Sequence, residues 1–371
     1  MKITDIKAIP LLIPLKEIPP FSVSGKNPLF HTDVLVKVFT DEGITGYGEA
    51  FRYPPAAVST CIEEGLKPHL LGENPMHVER LWNLMYNITS GEWGRKGTPL
   101  HAISGVEIAL WDIIGKYRNL PVYEMLGGLC KDKIKAYATL PKYEKPEDVA
   151  TIALRCMEQG YTAIKLHQGG DTVIETLKLI RQAIGYDIVL MVDVIDGAWI
   201  PRQAVEKAKE MEQYGVFWLE EPVWPTDDYD GLAYVKDKSN IPIAAGENEY
   251  THYGFREMIA KRAVDIVQPS VTKAGGILEC RKIFALTEAW NLQIEPHSPY
   301  LGPGIAATLH LSLSNMRSEY VEIKYSPPEA PFIQPSLRPE RGYVTVPDKP
   351  GLGIEIDEDV VKKYSYTLYP G

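Results

Sequence analysis

Three stretches of this chain share one pattern, a short apolar run that stops on a carboxylate. They are Ile188-Val189-Leu190-Met191-Val192-Asp193, Val216-Phe217-Trp218-Leu219-Glu220-Glu221-Pro222 and Ile241-Pro242-Ile243-Ala244-Ala245-Gly246-Glu247. Asp193, Glu220 and Glu247 stand 27 residues apart and then 27 again, about what one strand, one helix and two short loops consume. A buried parallel strand tolerates an acid only at its tip, where solvent or a metal ion offsets the cost of desolvation. The spacing predicts three successive parallel strands that carry their acids to matching ends.

The repeat extends further. Apolar runs at 135–139, 162–166, 188–192, 216–219, 241–245, 264–267, 292–295 and 319–321 alternate with amphipathic helical patterns. Eight such runs at intervals of roughly 25 residues describe a (β/α)-type barrel, with all strand C-termini on one face. Their tips read Lys165, Asp193, Glu220, Glu247, Ser270, His297 and Glu322. Catalytic groups on such barrels come from the ends of several different strands, so these seven residues are expected to share a site.

Asp193, Glu220 and Glu247 offer oxygen ligands only, which suits a hard cation, and Mg²⁺ is the expected ion. Without a metal, three clustered carboxylates would repel one another and raise each other's pKa values. Asp196 competes with Asp193 as ligand, but it breaks the 27-residue interval and lies past the apolar run. Lys165 and His167 alternate on one strand end, with Leu166 pointing away between them. His297 arrives five strands later, so one group can remove a proton and the other can deliver one.

Ahead of the barrel, residues 3–15 and 33–50 read as strands, the second region folded back at Asp41-Glu42-Gly43. Helical patterns follow at about 55–68, 76–89 and 99–117, the last stopped by Asn119 and Pro121. Loops around Ser22–Lys26 and Trp93–Lys96 are placed to close over a site, and Lys26 or Arg95 could meet a second carboxylate. The Pro-rich segment from 326 is expected to leave the barrel and return to the N-terminal part.

Bulk properties narrow the partners. With 39 basic and 49 acidic residues the net charge is -10 and no long Lys/Arg run exists, so nucleic acid is a poor partner. Cys61, Cys130, Cys156 and Cys280 lack CxxC spacing, which suits a reducing compartment and offers no zinc site. The N-terminus has no apolar signal core and no stretch reaches the roughly 20 apolar residues a membrane span needs. A cytoplasmic protein, not membrane-bound, is the expectation. Barrels of this kind often associate, so a homo-oligomer stays open, with no interface stripe legible.

Two further segments carry a family resemblance: Ser104-Gly105-Val106-Glu107-Ile108-Ala109-Leu110-Trp111-Asp112-Ile113-Ile114-Gly115-Lys116, and Leu120-Pro121-Val122-Tyr123-Glu124-Met125-Leu126-Gly127-Gly128. In the barrel, Trp218-Leu219-Glu220-Glu221-Pro222, Gly246-Glu247-Asn248 and Lys273-Ala274-Gly275-Gly276 follow in order. Together these motifs resemble the enolase superfamily, within it the mandelate racemase branch, over nearly the whole chain. The resemblance implies an α/β fold, a modified TIM barrel under an α+β capping domain built from both chain ends. Its expected parts are 1–128 (cap), 129–325 (barrel) and 326–371 (a segment returning to the cap). It also implies Mg²⁺ on Asp193, Glu220 and Glu247, and abstraction of the proton α to a carboxylate.

Three positions depart from the family pattern. Ser270 stands where relatives place an Asp paired with the histidine, or a catalytic Lys, so His297 is expected to be a weak base and to serve mainly as an acid. Lys165-Leu166-His167 replaces Lys-x-Lys, and an imidazole beside Lys165 is expected to tune the amine. Asp193-Val194-Ile195 replaces Asp-x-Asn. The expected reaction is β-elimination from a sugar acid: Lys165 takes the α-proton, Glu322 helps hold the enediolate oxygen and His297 protonates the departing β-oxygen. His167 joins the catalytic group, and Ser270, Lys273, Arg95 and Lys26 are the candidate substrate-binding residues. Opening of a sugar-acid lactone, and racemisation or epimerisation, are the alternatives.

Overall fold

Alternation of apolar and polar residues in the first fifty positions builds an antiparallel sheet: β1 (Ile3–Pro14), β2 (Phe30–Thr40) and β3 (Thr45–Ala50), in the order β1-β2-β3. A computed structural model describes residues 1–16, 30–52, 54–194 and 198–366. The β2–β3 turn falls at Asp41–Gly43, where Gly43 takes φ +77°, the left-handed region glycine enters without steric cost. The pattern expected over 55–68 is a helical stretch Pro55–Leu70 with a π-helical segment at Cys61–Leu66. Helices Val78–Glu92 and Thr98–Arg118 follow, the second ended by left-handed Asn119. That long helix lies against β3 so closely that a Cβ on Gly48 would collide with the Gly105 carbonyl oxygen.

The eight expected barrel strands all form: β4 (Ile134–Thr139), β5 (Ala163–His167), β6 (Val189–Asp193), β7 (Val216–Glu220), β8 (Ile243–Ala245), β9 (Ile266–Val267), β10 (Gln293–Ile294) and β11 (Tyr320–Lys324). Their order is β10-β9-β8-β7-β6-β5-β4-β11, every neighbouring pair parallel. Register places His167 opposite Asp193 and Asp193 opposite Glu220. Among the described residues β10 and β11 share no strand pairing, and side chains bridge that seam. The Glu295 carboxylate accepts from the Glu319 and Tyr320 backbone N–H groups, and Ser298 and Glu322 exchange hydrogen bonds.

Period-two alternation sorts the barrel side chains. Ile164, Leu166, Leu190, Val192, Leu219 and Ile243 join the large core between strands and helices. Tyr137, Ala163, Met191, Trp218, Ala244, Ile266 and Tyr320 fill the interior. Lys165, Asp193 and Glu220 continue the inward rows at the strands' C-terminal ends.

The sheet of β1–β3 and its helices dock on that same end. Glu107 of the long helix accepts from the Ile277 and Leu278 N–H groups, at the start of the helix after β9, at 2.6 and 2.8 Å. Glu49 accepts from Gly304 N–H at the start of the helix after β10. Trp82 donates to the Gly275 carbonyl. The chain's final segment reaches back to these elements: Leu352 N–H donates to Asp112, Lys37 pairs with Glu358, and Leu11 bridges to Ser365.

Candidate active site

Three carboxylates converge where the sequence pattern placed them. Asp193, Glu220 and Glu247, all buried, present ligand oxygens within 4.8 Å of one another. Lys165 is wholly buried among them. Its Nζ lies 2.8 Å from Glu220 Oε1, 3.2 Å from Glu322 Oε1 and 3.6 Å from Asp193 Oδ2, above the Tyr137 ring. His297 reaches the other end of the group, with Nε2 3.1 Å from Glu247 Oε2. Lys273 stands beside the same acid, Nζ 3.5 Å from Glu247 Oε1, resting on the Phe51 ring.

Burial and mutual charge set the protonation states. Burial, reinforced by Asp193 and Glu322 against Lys165, pushes Glu220 up to about 8. Glu220 is also held by donors, Lys165 on Oε1 and Trp218 and Gln268 on Oε2. Burial opposes charge on Lys165, yet Glu220 and Glu322 outweigh it and keep the amine well above its ordinary value. Burial pulls His297 down to about 4. At His167, burial is overcome by Asp193 and the imidazole rises to about 9. Glu322 is likewise buried, but Lys165 and His297 bring it down to about 2.

These findings correct several sequence expectations. Lys165 is more basic than an ordinary lysine, because the Glu220 and Glu322 carboxylates outweigh its burial. His167 stands at the same Asp193 oxygen as that amine. Its Nδ1 bonds the Leu140 carbonyl and its Nε2 lies 3.1 Å from Asp193 Oδ2. Glu322 accepts from the Ser298 N–H and stands 3.2 Å from Lys165, whose charge favours its ionised form. Ser270 faces His297 Nδ1 at 3.3 Å. Arg95 is not at the site. It is solvent-exposed after the helix Val78–Glu92, in a cleft with Tyr86, Lys96, Glu249 and Tyr253. Lys26 and Asp196 lie outside the described residues.

Other participants escaped the sequence reading. Tyr300 places its hydroxyl against Ser270 and 3.4 Å from His297 Nδ1. Gln268 and Trp218 hold Glu220, and both lie two residues from a strand-tip group on the same inward row, a signal the alternation carried. Glu221, in a left-handed conformation at φ +49°, turns its carboxylate to accept from Gly246 N–H, next to Glu247.

The donor set fits a divalent cation. Three oxygen-only carboxylates meet in one buried place, and burial beside the other acids keeps Glu220 costly to ionise unless positive charge lies between them.

A (β/α) barrel whose strand tips bring a carboxylate triad, a buried lysine and a histidine together beneath a capping sheet defines a metal-assisted proton-transfer enzyme. The chain belongs to the mandelate racemase/muconate lactonizing enzyme family of the enolase superfamily: residues 11–127 match that family's N-terminal domain and residues 148–360 the enolase C-terminal domain-like model. It is 34% identical to an arabinonate dehydratase of Saccharolobus solfataricus, over 89% of this chain and 90% of that protein. It is 32% identical to the D-galactarolactone cycloisomerase of Agrobacterium fabrum, over 98% and 99%. A racemase from Streptomyces coelicolor with bound magnesium superposes with TM-score 0.88 at 27% identity, over 98% of this chain and 100% of that one.

Proposed function

We propose that this enzyme removes the proton α to the carboxylate of a sugar acid and expels an oxygen from the β-carbon, a dehydration of an aldonate or aldarate to a 2-keto-3-deoxy acid. One observation carries the reading: Lys165 meets the carboxylate triad at Asp193 and Glu220, while His297 meets it at Glu247. Mg²⁺ held by Asp193, Glu220 and Glu247 would bind the substrate carboxylate, stabilise the charge left by the departing proton, and offset the carboxylate field that keeps Lys165 protonated.

Lys165 is the group that accepts the α-proton. Glu322 positions the amine through its 3.2 Å contact, and its ionised state stabilises the ammonium once formed. His297 faces the departing oxygen from the Glu247 side, and its low proton affinity makes a proton it carries easy to surrender. His167 braces Asp193. Lys273 brings positive charge to Glu247 and to the substrate side of the triad. The cap, residues 1–128 with 326–371, would exclude water above the site.

The likeness to a cycloisomerase over 98% of the chain favours one second reading, expulsion of a lactone ring oxygen by the same proton abstraction. Incubation with aldonic acids, aldaric acids and their lactones, with Mg²⁺ and a keto-acid reagent, tests both. Keto acid from open-chain acids supports dehydration, and keto acid from lactones alone supports ring opening. A folded, Mg²⁺-responsive protein that yields none across the panel defeats both, and deuterium entering substrate without keto acid points instead to epimerisation.

A further inference from the structure

Beyond Glu322, the inward row of β11 carries one more group. Side chains alternate along the strand, so Tyr320 lies in the barrel interior, Glu322 at the site and Lys324 above it, roughly 7 Å further along. The half-buried Lys324 places its Nζ 2.9 Å from His31 Nδ1, and His31 Nε2 lies 2.9 Å from Asp33 Oδ2. His31 and Asp33 belong to β2, so this contact ties the lysine to the sheet that covers the site. Arg52 comes to the same place from just past β3. Its guanidinium lies 5.2 Å from the centre of the Phe51 ring, which also carries Lys273 Nζ at 4.2 Å, and Lys273 stands beside Glu247. An extended six-carbon diacid sets its carboxyl carbons roughly 6 Å apart, the scale that separates the triad from these two cations.

Charge above the site is out of balance. Arg52 and Lys324 meet Asp33 and Glu49, whose carboxyls hydrogen-bond each other. Burial and the Asp33 charge push Glu49 well up, while His31 outweighs burial at Asp33 and brings it down, so the pair keeps one proton and one negative charge. Burial pulls His31 down to about 4 and leaves its ring neutral. A second cation beside the guanidinium is therefore costly, and desolvation followed by Arg52 lowers the proton affinity of Lys324. An entering carboxylate removes that cost and takes charge-assisted hydrogen bonds from both side chains. A terminal hydroxymethyl group offers no such compensation, and the site rejects it by the donors it leaves unmatched.

We propose that Arg52 and Lys324 form an anion subsite for the distal carboxylate of the substrate, which makes the enzyme selective for six-carbon aldarates over aldonates. The proposal rests on the α-proton abstraction reading and deepens it: the metal end of the site holds the reacting carboxylate, and the cap seam holds the second one.

The test compares acids of matched stereochemistry, glucarate with gluconate, galactarate with galactonate and mannarate with mannonate, in the presence of Mg²⁺. Keto-acid formation is one readout, and the rise in melting temperature of Lys165→Met protein, which registers binding without turnover, is the other. In the pair that binds best, the aldarate is expected to be favoured by about tenfold or more. Lys324→Met and Arg52→Gln should each cut that preference by about tenfold, and Lys324→Arg should keep it. An aldonate that binds as well as its aldarate overturns the proposal, as does a preference that survives both substitutions or a panel in which no aldarate raises the melting temperature. The comparison of the two acids needs no change at position 52 or 324, so it stands even if a variant there does not fold. Aldarate preference without keto acid defeats the α-proton reading alone, and keto acid formed without aldarate preference defeats the subsite alone.

Discussion

Replacing Lys165 by methionine removes the ammonium that touches Asp193, Glu220 and Glu322 while keeping a side chain of similar length. The amine is fully buried, so water cannot take its place beside those carboxylates. Breaking a buried ion pair from one side costs about 3–5 kcal/mol. With an unfolding entropy of about 2.1 cal/mol/K per residue over 371 residues, the metal-free variant should melt roughly 4–6 °C below wild type. Added Mg²⁺ should narrow that gap. In wild type the ammonium and the cation compete for the same carboxylates, and in the variant only the cation remains. Each tenfold gain in affinity adds about 1.4 kcal/mol to the stabilisation at saturating Mg²⁺, about 2 °C more shift than wild type shows. The assay is thermal melting of both proteins across an Mg²⁺ titration, with keto-acid formation followed in parallel. A variant that melts at the wild-type temperature without metal, gains no more from Mg²⁺ than wild type, or still turns over would refute the reasoning.

Glu107→Gln should destabilise by about 1–3 kcal/mol in thermal or urea unfolding, because one amide oxygen cannot serve the Ile277 N–H, the Leu278 N–H and the Trp111 indole together; an unchanged midpoint would show that the carboxylate is dispensable. Gly48→Ala should cost about 1–3 kcal/mol, since the new methyl meets the Gly105 carbonyl in a helix that cannot yield, and a wild-type melting temperature would place that helix farther from β3. Lys324, half-buried with its Nζ 2.9 Å from His31 Nδ1, is held down to about 7, by desolvation first and Arg52 second. The folded lysine gives up its proton near 7 and the unfolded one keeps it to 10.5. Fewer protons are thus bound in the folded state between those values, and stability rises with pH there by up to about 1.4 kcal/mol per unit. Lys324→Met lacks that rise, so the wild-type melting temperature should gain on the variant's from about pH 7.5 to about pH 9.5, and parallel curves would sink the assignment.

The strand-tip groups were legible in the sequence because a parallel strand followed by a helix converts chain distance into place. Apolar runs ending at Lys165, Asp193, Glu220, Glu247, His297 and Glu322 could point to only one face, and the equal intervals fixed the order of the acids around it. What each tip touches was not legible, since those partners come from across the barrel. Glu322 shows the difference. Its place was readable, yet its ionised state follows from Lys165, contributed by a strand two positions away in the sheet. Tyr300 shows it again, since nothing in Ser298-Pro299-Tyr300 marks a hydroxyl that folds back to a histidine three residues earlier. Arg95 failed for the converse reason. Its loop was placed near the barrel by adjacency to a helix, but no periodicity fixes a direction after that helix ends, and the side chain emerges into solvent. Ser270 stands where the family resemblance implies an acid, and it brings an uncharged hydroxyl, able to donate or accept, to 3.3 Å from His297 Nδ1. The ring's second nitrogen had to be satisfied inside a buried site, and the Tyr300 hydroxyl, joined to Ser270, stands where that requirement falls.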